Sequence, residues 1–208
     1  MKSVFCALAI LAASLPAATA AQDDLLSRMS AVNANLHSYT ATMKAHVVMT
    51  TFPYLTTDLN GTYYHKDPDR DKLSVTSGLP GIAQQFNQLY PHIVPPAQWN
   101  DVFTVSKVSD DGTTTHFKLV PRKAGNVQEV DATADDKRAV VTAMKWTYAN
   151  GGTAQMTNTY GNIKGYTLIT GQAGVVDEPQ YKGTITSTLS DYKINPDIPD
   201  TIFAQQSN

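Results

Sequence analysis

From Tyr39 onward, apolar and polar side chains alternate along the sequence with a period of two residues. Apolar residues occupy every second position up to Met49, and threonine, lysine and histidine fill most of the positions between them. Because successive side chains of a β-strand point to opposite faces, the pattern predicts a long strand with one apolar face. Further strands are predicted over residues 59–65, 72–76, 102–108, 116–120, 127–132, 140–148, 153–160, 166–170 and 181–194. The 25 threonines and 10 tyrosines agree with this pattern, since both residue types pack well on pleated sheets.

Two segments depart from the alternation and predict helices. Between Leu25 and Leu36, leucine, methionine and valine recur at three- and four-residue intervals, which predicts an amphipathic helix from Gln22 or Asp23 to about Leu36. A second, shorter helix is predicted after Gly81, followed by a proline-rich loop that ends near Trp99.

The predicted elements define a fold class. Short connections between the strands favour an antiparallel sheet, so we expect an α+β, mostly β domain whose curved half-barrel sheet is covered by an N-terminal helix and a short helical lid. Two short helices cover little of so large an apolar face. The sequence therefore predicts an unfilled apolar cavity, which suits a hydrophobic ligand.

The first twenty residues have the pattern of a secretory signal peptide. Lys2 precedes an apolar run from Val4 to Leu15, which is too short to span a bilayer, and small residues at Ala18 and Ala20 form a cleavage motif. We expect residues 1–20 to be removed and residues 21–208 to form one soluble periplasmic domain. Since Cys6 is the only cysteine, the expected mature chain has no thiol.

Composition and motifs argue against several classes of function. A formal charge of −2 does not favour a nucleic-acid partner. The five histidines lack the spacing of a zinc pair and are expected on the surface or in loops, so neither metal nor cofactor is expected. Ser190 and Lys193 match an S-x-x-K motif, but they continue a strand pattern in which positions i and i+3 point to opposite faces. No catalytic residue is therefore expected.

The order of motifs resembles the outer-membrane lipoprotein carrier (LolA-like) superfamily, particularly its lipoprotein-sorting and lipid-binding branch. The matching segments are residues 25–29, 36–41, 61–68, 71–73, 117–122, 146–152, 160 and 192–203. The resemblance implies a half-barrel with helices that cover a hydrophobic cavity, in which acyl chains are held in the periplasm. Members that carry lipoproteins usually have arginine directly before the proline at the end of a strand. Here Asp67 occupies that position, so an arginine latch is absent or is replaced by Lys66 or Arg70.

We therefore expect a non-catalytic carrier, or chaperone, that binds the acyl chains of a lipoprotein or another lipid and passes them between membranes in outer-membrane biogenesis. The expected partners are that lipid and membrane-bound donor and acceptor proteins, and the chain is expected to be a monomer. The expected cavity residues are Met43, Val47, Met49, Ile82, Phe86, Leu89, Trp99, Met144 and Trp146.

Two alternatives remain open from the sequence. An outer-membrane β-barrel fits the number and length of the strands, although the helical segments and the polar C-terminal residues speak against it. A secreted hydrolase is the other alternative, although the sequence has no recognisable nucleophile or metal-binding set.

Overall fold

The structure is a computed structural model that describes residues 17–51, 54–68, 70–78 and 93–204. Within them, the helices are α1 (Ala17–Ala31) and α2 (Trp99–Val102), with 3-10 turns at Pro96–Gln98 and Asp200–Ile202. The strands are β1 (Ser38–Met49), β2 (Thr56–Lys66), β3 (Arg70–Ser77), β4 (Phe103–Asp110), β5 (Thr114–Pro121), β6 (Val127–Asp135), β7 (Val140–Tyr148), β8 (Thr153–Ile163), β9 (Tyr166–Asp177) and β10 (Lys182–Ile194).

Every predicted strand is present, and most are longer than the alternation alone indicates. For example, β2 begins at Thr56, three residues before the predicted start, because its polar N-terminal residues continue to pair with β1. Backbone pairing does not require an apolar side chain, so hydropathy underestimates the length of such strands.

The predicted extension of the first helix to Leu36 is wrong. Helix α1 ends at Ala31, and the chain turns through backbone hydrogen bonds from Ala34 to Ala31 and from Leu36 to Asn33. The Asn33 side chain donates to the Thr167 carbonyl oxygen at 2.9 Å and accepts from the Thr167 amide at 3.0 Å. Asparagine competes well for backbone partners outside helices, and here its amide attaches the end of α1 to β9.

The ten strands form one antiparallel sheet in the order β3-β2-β1-β10-β9-β8-β7-β6-β5-β4. The sheet is open, with β3 and β4 at its edges. Inside it, β10, which comes last in the sequence, pairs with β1, which comes first. This is the mostly β, half-barrel architecture that the sequence predicts.

One face of the sheet carries the apolar side chains. A continuous row of paired residues crosses seven strands and consists of Val47, Ile185, Gly174, Met156, Met144, Ala132 and Phe117. We call this the inner face. Helix α1 packs against it through Leu25, Leu26 and Met29, which are buried in one cluster with side chains of β4 to β8.

A second apolar cluster lies on the same face near the other edge of the sheet. It contains Met43, Ala45, Val47 and Leu59. Gly174, Ser187 and Gln172 lie between the two clusters on β9 and β10. Backbone pairing is therefore continuous across the inner face, but small and polar side chains lie between its two apolar clusters.

Candidate functional site

A cavity of about 450 Å³ lies between the inner face, the C-terminal end of α1 and the segment that precedes α2. Its apolar walls include Met29, Leu36, Val94, Trp99, Val141, Met144, Met156 and Leu168. Its polar walls include Asn33, Tyr39, His65, Asp67, Asn158 and Tyr160. Among the described residues, the side of the cavity that faces the sheet is covered by α1 and by residues 93–98.

Trp99 forms a rigid wall of this cavity. Its side chain is fully buried and meets Phe117 edge-on, with 5.7 Å between ring centroids. The indole nitrogen donates a hydrogen bond to the Val94 carbonyl oxygen at 2.9 Å, which provides the partner that a buried indole requires. This bond also holds the proline-containing segment against the sheet.

The residues expected in the cavity occupy three different places. Trp99 and Met144 line it, and Trp146 is buried in the same apolar cluster. Met43 and Val47 lie in the second cluster, with the partly buried Met49 packed against it. The predicted lid residues Ile82, Phe86 and Leu89 lie outside the described residues.

Sequence reasoning missed an aromatic and acidic network at the β2 side of the cavity. The Tyr39 ring lies 4.9 Å from the His65 ring and 5.9 Å from the Tyr63 ring. Asp71 accepts hydrogen bonds from the Tyr63 hydroxyl at 2.6 Å and from His65 Nδ1 at 2.8 Å. The period-two pattern could have placed Tyr63 and His65 on one face of β2, but the register that pairs Tyr39 with His65 and His65 with Asp71 is seen only in the assembled sheet.

Tyr192 joins this network through a β-bulge. Ser190 pairs with Thr42 and Lys193 with Thr40, so β10 carries one extra residue at this point, and Asp191 has a φ of 53°. The bulge turns the Tyr192 ring toward Tyr39, with 5.7 Å between centroids. The Tyr192 hydroxyl donates to the Ile169 carbonyl oxygen.

The same bulge corrects the reason given for rejecting the S-x-x-K motif. Ser190 and Lys193 pair with Thr42 and Thr40, which share a face, so the two side chains do not point to opposite faces. The motif nevertheless lies in a strand, and the Ser190 hydroxyl donates to Asp191 at 3.0 Å. The helical geometry that this chemistry requires is not present at Ser190.

Among the described histidines, His65 departs from the expected surface placement, since its side chain is only 21% exposed. Burial by itself would lower the pKa of His65, but the hydrogen bond and charge of Asp71, with a further contribution from Asp67, outweigh it and raise the pKa above its usual value. Burial also raises the pKa values of Tyr39 and Tyr63, and it raises the pKa of Tyr160 to about 12. These tyrosines are neutral hydrogen-bonding groups at physiological pH.

Asp67 lies where the network meets solvent. Its carboxylate is 3.6 Å from His65 Nε2 and 3.4 Å from His37 Nδ1, and its side chain is 48% exposed. Both distances exceed the usual range of about 2.7–3.2 Å for a nitrogen–oxygen hydrogen bond. The carboxylate therefore keeps lone pairs available for another donor.

Lys66 and Arg70 hold the C-terminal segment. Both side chains contact Asp200 Oδ1, Lys66 at 2.6 Å and Arg70 at 2.9 Å. Lys66 also donates to the Ile198 carbonyl oxygen at 2.8 Å, and the Arg70 guanidinium lies 5.4 Å from the centroid of the Phe203 ring. The two cations that could replace an arginine latch are thus engaged with residues 198–203.

Within residues 17–51, 54–68, 70–78 and 93–204, no three His, Cys, Asp or Glu side chains are grouped so that they could hold a metal ion. In the same part of the chain, no helix has the length and apolarity needed to cross a membrane.

Neither the family models nor the curated proteins contain a match to this sequence. Solved structures do match. A LolA superfamily protein from Nitrosomonas europaea is 10% identical, with a TM-score of 0.61, and the match covers 88% of this chain and 97% of that one. This chain has a LolA-like fold.

Two other structures share the LolA-like fold. A DUF1329 family protein from Desulfovibrio piger is 11% identical, with a TM-score of 0.61 and coverage of 90% of this chain and 98% of that one. An outer membrane lipoprotein-sorting protein domain from Vibrio parahaemolyticus is 12% identical, with a TM-score of 0.60 and coverage of 86% and 94%. At these identities the similarity establishes the fold, which agrees with the resemblance noted in the sequence.

Proposed function

We propose that this chain is a non-catalytic carrier that binds the acyl chains of a lipoprotein, or of another lipid, and passes them between membranes in the periplasm. The observation that carries the proposal is the cavity of about 450 Å³ between the sheet, α1 and the Trp99 segment. Ligand cavities in proteins typically measure about 300–1,000 Å³ and are mostly apolar. The walls supplied by Met29, Met144 and Met156 meet this description.

The energetics support binding without a chemical step. Transfer of an acyl chain from water into an apolar site gains about 0.8 kcal/mol for each methylene buried. Methionine side chains are flexible and polarizable, so they adapt to acyl chains of different length. A carrier therefore needs an apolar cavity and a means of opening it, and no catalytic group.

The fold and the N-terminal sequence support the proposed location. One structure with the same fold is described as an outer membrane lipoprotein-sorting protein domain. Residues 1–20 have the pattern of a signal peptide, which would export residues 21–208 as a periplasmic monomer. Membrane-bound donor and acceptor proteins are then the partners expected for loading and release.

Lipid binding can be tested directly on the protein as purified. Native mass spectrometry of protein prepared without detergent should show a bound lipid, and a fluorescent fatty acid should compete with it. Val141→Trp should weaken binding of the fluorescent fatty acid at least tenfold, because Val141 lines the cavity and the larger side chain fills it. Val120→Trp is the matched control, since Val120 is 42% exposed on β5 and should leave affinity unchanged.

Thermal unfolding should first establish that both variants fold. Absence of both a co-purifying lipid and fatty-acid binding in the unmodified protein would contradict the proposed function. Undiminished binding by a folded Val141→Trp protein would place any lipid outside this cavity.

A further inference from the structure

The polar side chains deep in the cavity are already paired with the protein. The Asn158 amide donates to the Val141 carbonyl oxygen at 3.0 Å and accepts from Gln172 at 3.1 Å. The Tyr160 hydroxyl donates to the same Val141 oxygen at 2.8 Å. These side chains have hydrogen-bond partners within the protein, so the region near β7 and β8 presents mainly apolar surface to a ligand.

The β2 side of the cavity is different, because it carries carboxylates. Asp67 lines the cavity directly, and Asp71 lies behind His65 at 2.8 Å. His65 and Met144, which both line the cavity, are on strands separated by five strand spacings in the sheet order. The cavity thus has an apolar region and an acidic region that one elongated molecule can contact together.

Lysine and arginine side chains do not neutralise this acidic region from inside the cavity, and the His65 imidazole, whose pKa is raised, offsets only part of the charge of the two carboxylates. His65 pairs with Asp71 and Lys66 pairs with Arg70 in the β2–β3 ladder, so the two pairs lie on opposite faces of the sheet. Lys66 and Arg70 contact Asp200 on the outer face. Among the described residues that line the cavity, none is lysine or arginine.

We propose that the cavity selects an amphiphile whose head group is a cationic hydrogen-bond donor, such as an ammonium group, and that Asp67 binds this head group. The inference rests on the proposed function, because it assumes that the cavity holds an acyl chain. The acyl chain of the ligand lies along Met144, Met156 and Leu168. Its ammonium group donates a hydrogen bond to the Asp67 carboxylate, whose distances of 3.4 Å to His37 and 3.6 Å to His65 leave lone pairs available. An anionic head group in this position meets the Asp67 carboxylate, with Asp71 behind His65, and no lysine or arginine among the described residues of the cavity walls.

Three amphiphiles with one tail and different head groups test the inference. Dodecylamine, dodecanoate and dodecanol share a twelve-carbon chain and carry positive, negative and no charge at pH 7. Binding to the full chain is measured below the micelle concentration, by the change in tryptophan fluorescence, since Trp99 lines the cavity. Dodecylamine should bind at least tenfold more tightly than dodecanoate, and dodecanol should have intermediate affinity.

The variant Asp67→Asn isolates the proposed contact. It should reduce affinity for dodecylamine about tenfold, leave affinity for dodecanol within about twofold, and make binding less sensitive to added salt than in the unmodified protein. The matched control is Asp58→Asn, which removes the same charge from a carboxylate that is 2.7 Å from His46 and 80% exposed outside this cavity. The control should keep the preference for dodecylamine.

The outcomes separate the two proposals. Equal binding of the three amphiphiles, or tighter binding of dodecanoate, would overturn the head-group inference and leave the lipid carrier intact. Retention of the amine preference in Asp67→Asn would overturn the assignment to Asp67. If none of the three binds, both the carrier function and the inference are wrong.

Discussion

The two apolar clusters lie on the same face of one sheet, yet they differ in what packs against them. The larger cluster contains side chains from α1 and the Trp99 segment, and the cavity lies beside it. The smaller cluster, around Met43 and Val47, is built from side chains of β1, β2, β3 and β10. The C-terminal segment contacts the other end of β2 and β3 from the outer face, through Lys66 and Arg70.

Apolar alternation therefore identifies a buried face but not its role. Met43 and Met144 have the same chemistry, lie on the same face and are similarly buried. Met144 borders a cavity, while Met43 packs with its neighbours on the strands. Among the described residues, the position of α1 relative to the sheet, rather than the strand pattern, distinguishes the surroundings of the two methionines.

The largest decrease in the free energy of unfolding is expected when Trp99, in the larger cluster, is replaced. Trp99→Ala removes a fully buried indole, its bond to Val94 and its contact with Phe117. We expect the free energy of unfolding to fall by about 3–5 kcal/mol, as for other buried tryptophans, measured by urea denaturation. Val108→Ala, at a side chain that is 62% exposed, should change it by less than about 0.5 kcal/mol. A decrease below about 1 kcal/mol for Trp99→Ala would mean that this wall is not a structural anchor.

A matched pair of methionine variants tests the contrast between the clusters. Both Met43→Ala and Met144→Ala should lower the free energy of unfolding by about 2–5 kcal/mol, since both side chains are buried. Only Met144→Ala should weaken dodecylamine binding, by about fourfold for each methylene group of the ligand that is no longer buried. Titration of the two folded variants measures this, and an equal decrease of affinity in both would remove the distinction between a ligand-binding and a structural cluster.

A smaller decrease in the free energy of unfolding is expected when the contact between the C-terminal segment and strands β2 and β3 is weakened. Hydrogen bonds from Lys66 and Arg70 and their charges lower the pKa of Asp200. A carboxyl group with a lowered pKa contributes stability above its unfolded pKa of about 3.9 and loses that contribution as the pH falls through the folded pKa. Asp200→Asn should therefore destabilise the protein at pH 6, and the destabilisation should diminish as the pH falls through the folded pKa of Asp200.

Hydrogen exchange of residues 198–203 reports on this region separately from global unfolding. Exchange should increase in Asp200→Asn at pH 6 while the strands β5 to β8 remain protected. If exchange in the segment is the same with and without the carboxylate, the ion pairs do not hold it.

The smallest change in the free energy of unfolding is expected from the titration of His65, and its direction with pH follows from the raised pKa. Asp71 and Asp67 raise the pKa of His65 despite its burial. The stability that protonated His65 contributes is complete below about pH 6.5, its unfolded value, and is lost as the pH rises through the folded pKa. NMR titration should give a pKa for His65 above its usual value, and Asp71→Asn should lower it. The outer-face variant Asp58→Asn should leave this titration unchanged, and a similar shift in both variants would indicate a long-range charge effect instead of a direct contact.

The strands could be predicted from the sequence because each of them carries its own period-two signal. The face that Met43 and Val47 occupy also follows from that signal. The end of α1 could not be predicted, since it depends on the pairing of Asn33 with Thr167, 134 positions away. The acidic region was missed for a related reason: Tyr39, His65 and Asp71 come from three strands, and the register that brings them together is a property of the sheet.

The pairing of β10 with β1 has a consequence for how the sheet is assembled. The hairpin arm β1–β3 and the meander β4–β9 are each built from neighbouring segments, and in the strand order of the sheet they are joined through β10. Contacts between segments so distant in the chain form late, because closing long loops costs conformational entropy. A nascent polypeptide that ends before Lys182 therefore contains two separate pieces of sheet. Insertion of β10 between β1 and β9 then joins them into one sheet.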